Sequence, residues 1–171
     1  MTEPASGPLR RGPGRVTLLL GLVLALLAGC SGGTAPTVGQ QAPAFTLRTL
    51  SGAPLSLNSL RGRPVLLLFW KAGCCAALLP ELAARYRRTT PQALEIIAVN
   101  VGESEEAVRQ TAGSLGLAFP VVADPHALLA RQYQVTGVPT LFLVDRTGVV
   151  RERLLGAPAP GTLARLLARL P

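Results

Sequence analysis

The chain has 171 residues, a formal charge of +8, three cysteines and one histidine. Hydrophobic residues make up 49% and charged residues 15%, which supports one domain with a real core and argues against a disordered chain. Aromatics reach only 4%, too few to stack on bases, so nucleic acid is not an expected partner. The arginines read as a solvated basic surface, able to rest against anionic lipid headgroups.

The first thirty residues read as an address rather than fold. Arg10, Arg11 and Arg15 form a basic region ahead of the apolar run "VTLLLGLVLALLAGC". That run is too short for a comfortable membrane span and has the layout of a secretory signal. Its end, "LAGC", resembles a bacterial lipobox, which implies lipidation of Cys30 and a membrane-lipid partner. The alternatives are an ordinary signal peptide or an uncleaved anchor; each puts the rest of the chain outside the cytoplasm. The expected organisation is a lipoprotein signal over 1–29, a Gly/Pro-rich flexible tether over 30–43, and one domain over 44–171.

"FTLRTLSGAPLSL" alternates around Ser51-Gly52 and predicts a β-hairpin. The unbroken apolar run from Val65 to Trp70 predicts a strand buried on both faces. Leu78, Leu79, Leu82 and Tyr86 then fall at helical spacing, predicting a helix over 75–86 with Arg85, Arg87 and Arg88 in its last turn. "LEIIAVNV" is a second buried strand, with Ser104 as N-cap of the helix that follows. "FPVVAD" is a short strand. Asp124 and Pro125 predict the cap and first residue of a helix through Tyr133. "TLFLVDRTGVVRERLLG" is a hairpin with Asp145 and Gly148 framing a type I turn, and "TLARLLARL" is a closing amphipathic helix. Strands alternating with helices, followed by a late hairpin, give an α/β sandwich with a mixed sheet.

Setting Cys30 aside leaves Cys74 and Cys75. With His126 they cannot supply a closed zinc site, so no metal and no other cofactor is expected. Adjacent thiols in an exported chain point to redox chemistry or to burial. Cys74 follows a buried strand where a helix begins, and amides there favour a thiolate, with Lys71 able to add positive charge. Pro139, in "TGVPT", marks a strand edge, a turn or a cis bond.

Together, "PAFTL…G…LSL", "FW", "LEIIAVNVGES", "FPVVADP" and "YQVTGVPTLFLVDRTGVV" resemble the thioredoxin fold of TlpA/ResA-type membrane-tethered thiol–disulfide oxidoreductases, in the AhpC/TSA–redoxin-like superfamily. The resemblance implies a thioredoxin-like α/β/α sandwich and catalysis by Cys74 and Cys75. It also implies a substrate groove at Val138, Pro139 and Trp70, with protein thiols or disulfides and an external thiol reductant as partners. The motif itself departs from the family's W-C-x-x-C: Gly73 stands for the tryptophan. With Cys74 as nucleophile the resolving position is Ala77. With Cys75 as resolving cysteine the nucleophile position is Ala72. The acidic residue expected two before Pro80 is Leu78.

Neighbouring Cα atoms lie about 3.8 Å apart, whereas a relaxed disulfide spans roughly 4.4–6.8 Å. A Cys74–Cys75 bond would therefore be easily reduced. Three readings follow: disulfide exchange in which an external thiol or the neighbouring cysteine resolves the adduct, a redox-inactive binding module, and a peroxidase-like or soft-metal role. Elsewhere, His126 is expected to be exposed, Glu95 to be an edge charge or a partly buried proton acceptor, and Glu103, Glu105 and Glu106 to form a solvated helix start.

Overall fold

The computed structural model describes residues 36–75, 77–90 and 93–169. Cys30 and the 1–29 leader lie outside the described residues. No helix among the described residues is long and apolar enough to cross a membrane.

A small antiparallel hairpin pairs β1 (Thr46–Arg48) with β2 (Pro54–Ser56), as the alternating pattern predicts. A 3₁₀ turn (Asn58–Leu60) leads into β3 (Val65–Trp70), every residue of which is buried. The chain then runs through α1 (Leu78–Arg87), β4 (Glu95–Val101), α2 (Glu105–Ser114), β5 (Val121–Asp124) and α3 (Leu128–Gln132). It ends with β6 (Thr140–Val144), β7 (Val150–Leu155) and α4 (Thr162–Leu167).

The main sheet has the order β5-β4-β3-β6-β7. β3, β4 and β5 are parallel, while β6 runs antiparallel to β3 and β7 antiparallel to β6. The side chains of β3 alternate between two cores. Leu66, Leu68 and Trp70 pack with Leu79, Leu82, Val108 and Leu163 on one face. Leu67 and Phe69 pack with Phe45, Tyr133 and Phe142 on the other. Each such side chain contributes about 1.5–3 kcal/mol by leaving water, which explains why β3 lacks any polar alternation.

Gly39 and Ala42 donate to the carbonyls of Val150 and Gly148, pinning residues 39–42 to the sheet. Two helix starts differ from the expectation. α1 begins at Leu78 rather than Cys75. α3 begins at Leu128 rather than Pro125, because Ala127 turns left-handed at φ 52° and breaks the run. Asp124 still caps it from a distance, its carboxylate accepting from the amides of Leu128 and Ala130 at 2.7 and 2.9 Å.

Candidate active site

β3, β4 and β5 all end on one edge of the sheet, so the segments after Trp70, Val101 and Asp124 gather there. From β3 the chain steps to β4 on one side, while β6 later inserts on the other. In open α/β sheets a crevice at such a switch point is where ligands bind.

The β3/β6 register pairs Phe69 with Thr140, so Pro139 falls one step on, beside Trp70. The Val138–Pro139 bond is cis. The Thr140 hydroxyl donates to the Gly137 carbonyl at 2.6 Å, and the Gly156 amide donates to that of Pro139 at 2.7 Å. The corner is thus tied at both ends. Pro139 itself is buried and Val138 half-buried, so this corner meets solvent through Val138.

Cys74 and Cys75 occupy the turn between β3 and α1. Cys74 is exposed and Cys75 is buried, at 2% exposure. Their sulfurs are 3.1 Å apart, and Cys74 Sγ also lies 3.5 Å from the Lys71 carbonyl, to which it donates. The Cys74 amide donates to that same carbonyl at 3.4 Å. The Cys75 carbonyl accepts from Leu78 and Leu79, the second of these being the first bond of helical spacing. The Cys75 carbonyl thus accepts the first bond of helical spacing, one residue beyond the exposed sulfur and ahead of α1 itself at Leu78. Among the described residues the Cys74 sulfur meets a carbonyl oxygen and a second sulfur. Lys71 extends toward Gly102, its Nζ near the space a side chain there would fill.

Burial pushes the Cys75 thiol up to about 12; the hydrogen bond with Cys74 and the charges of Cys74 and Glu103 add to this, while the Lys71 backbone opposes it. Cys75 is thus protonated at neutral pH, able to donate its S–H to Cys74.

Trp70 has no exposed surface and packs beneath the turn with Cys75. Its place in the apolar core makes it a floor to the site rather than an exposed contact.

Two acids are turned inward. Glu95 sits on β4, an interior strand, and is 6% exposed. It accepts from the Tyr86 hydroxyl at 3.0 Å and pairs with Arg63 at 3.6 Å, so it is a satisfied buried carboxylate and not an edge charge. Glu103 Oε2 accepts from the Ala72 amide at 3.1 Å and from the Asn100 side-chain amide. It therefore braces the cysteine turn from the segment that follows β4. The sequence signal for this was Asn100 within an apolar strand, since a buried amide must find a partner. The Trp70 indole N–H and Asn100 Oδ1, opposite one another in the β3/β4 register, are buried without hydrogen-bond partners among the described residues. His126 is exposed as expected.

The same chain resembles known proteins over most of its length. Residues 38–153 match the AhpC/TSA family. The thiol-disulfide oxidoreductase ResA of Geobacillus kaustophilus is 37% identical over 136 residues, 78% of each chain. That of Bacillus subtilis is 38% identical over 120 residues, 69% of this chain and 67% of the relative. Among solved structures, a secreted Mycobacterium tuberculosis disulfide oxidoreductase homologous to Escherichia coli DsbE superposes with a TM-score of 0.66 at 25% identity. That match covers 74% of this chain and 96% of the other.

Proposed function

This chain belongs to the AhpC/TSA family as a thioredoxin-fold protein of ResA type, and on that footing we propose that it catalyses thiol–disulfide exchange through Cys74. The observation that carries the proposal is the split between the cysteines: one sulfur is exposed at the switch-point edge, and its neighbour is buried beneath it.

In the proposed cycle the Cys74 thiolate attacks a substrate disulfide. A bond forms between Cys74 Sγ and one substrate sulfur, and the other leaves as a thiolate. Cys75 stays protonated and donates its S–H to the Cys74 thiolate before attack. An external thiol then attacks the mixed disulfide, takes the substrate sulfur and restores Cys74. The external thiol is favoured over Cys75 for two reasons. The thiolate is the attacking species, and a group held up to about 12 supplies very little of it at neutral pH. Closing a bond between neighbouring residues also works against their Cα spacing.

The partners are protein disulfides or thiols whose extended segment lies against Val138. Backbone pairing of that kind gives affinity without demanding a particular side chain. Leu155, 68% exposed, approaches Gly137 and supplies an apolar wall. The proposal also places the domain outside the cytoplasm, held to a membrane through lipidated Cys30; its support is the "LAGC" leader alone. Insulin reduction with an external thiol tests the activity. The expected result is turnover above the protein-free rate; a rate equal to it would leave the redox-inactive binding module.

A further inference from the structure

We propose that the reduced Cys74–Cys75 pair is a chelating site for a monosubstituted trivalent arsenical. It shares its cysteines with the exchange site but not its chemistry.

The sulfur separation carries the argument. At 3.1 Å the two sulfurs are well beyond a disulfide bond, which is about 2.05 Å. They are close enough for a single atom to bridge. With a bond to sulfur of about 2.3 Å, a shared atom would see them at an angle of about 85°. That angle discriminates among thiophilic centres. A two-coordinate copper(I) ion places its sulfurs on opposite sides, which this pair cannot do without separating. Zinc needs a wider, tetrahedral angle and further ligands. Among the described residues no group of three or more His, Cys, Asp or Glu side chains could complete a metal site. A trivalent arsenic centre keeps a lone pair that compresses its bonds into a pyramid with angles not far above a right angle. When it carries one organic substituent, two sulfurs complete it.

Access fixes the order of events. Cys74, exposed, attacks first, and Cys75, at 2% exposure, closes the ring from below. Two S–H and two As–OH bonds break, two As–S bonds form, and two waters leave. Neither sulfur nor arsenic changes oxidation state, so no oxidant or reductant is needed. The Cys75 proton departs with a hydroxide as water, so the buried thiol need not ionise beforehand. The bridging atom also leaves the sulfurs at their 3.1 Å separation, where a direct S–S bond would draw them in to about 2.05 Å.

The test uses the reduced full-length chain and phenylarsine oxide, read by intact mass and peptide mapping. The expected result is one adduct per chain, mapped to the peptide holding both Cys74 and Cys75. It should survive an excess monothiol and be removed by a small dithiol. Cys74→Ser and Cys75→Ser should each lose the monothiol-resistant adduct. Zinc added alone should not remain bound through dialysis. An adduct that a monothiol strips, one mapped elsewhere, or one retained by either variant would overturn the proposal. The mapping on the wild-type chain decides the matter even if a variant fails to fold. Insulin reduction reads the exchange activity separately: an inert chain that still forms the adduct contradicts only the exchange reading.

Discussion

Cys74 Sγ and Cys75 Sγ lie 3.1 Å apart, yet one sulfur faces solvent and the other the core. The two cysteines therefore cannot contribute equally to exchange. Cys74→Ser is expected to reduce insulin turnover to the protein-free rate, because no other exposed thiol is available among the described residues. Cys75→Ser should retain turnover within roughly tenfold, a difference of about 1.4 kcal/mol in barrier. Parallel rate measurements on both variants check this. Equal loss in both would mean that Cys75 resolves the adduct after all.

The raised Cys75 thiol links stability to alkaline pH. An ordinary thiol titrates near about 8.5, and this one is pushed up to about 12, first by burial and then by Cys74. Its contribution is complete below the unfolded value and is lost as pH rises toward the folded one. Denaturant unfolding of the wild type and Cys75→Ala should therefore show curves that converge as pH climbs through that window. Parallel curves would contradict the assigned burial.

Glu103 is expected to act on the turn in two separable ways. Glu103→Gln removes a charge that helps raise the Cys75 thiol, so its titration, followed by cysteine ¹³Cβ shifts, should move down while staying above the ordinary value. Glu103→Leu also removes the acceptor of the Ala72 and Asn100 amides. It should cost about 1–3 kcal/mol in stability, the penalty for orphaning a buried polar group.

Much of the fold was legible because it follows from side-chain periodicity. The six buried residues of β3 and the hairpin turn between Asp145 and Gly148 announce themselves by pattern and by turn chemistry. Element starts were less legible. Pro125 suits a helix start, but the left-handed Ala127 moves that start to Leu128, and nothing in a lone alanine signals positive φ. The site was half legible. The cysteines, Pro139 and the end of β3 were visible in the sequence. The inward turns of Glu95 and Glu103 were not, because each depends on a partner brought in by tertiary packing: Arg63 and Tyr86 for one, the Ala72 amide for the other.

Asp145 holds the β6–β7 turn, and its loss should be pH-dependent. The carboxylate is 2% exposed and accepts from Thr147 Oγ1 at 2.7 Å, the Thr147 amide at 2.8 Å, the Val149 amide at 2.9 Å and Arg151 Nε at 2.6 Å. Burial alone would raise its pKa, but these donors outweigh it and hold the group below the ordinary carboxylate value. The stabilisation is present above the unfolded pKa of about 3.9 and is lost as pH falls through the lower folded value. Asp145→Asn should cost about 1.5–3 kcal/mol at neutral pH. The gap from wild type should narrow in acid, as denaturant melts at the two pH values would show.

The most direct measurement mixes the reduced wild-type chain with glutathione disulfide, quenches with acid and weighs the product. A glutathionyl group on Cys74, removed by added thiol, is the result expected of the single exposed thiol among the described residues. A chain lighter by two hydrogens with Cys74 and Cys75 joined, or an adduct on Cys75, would contradict it.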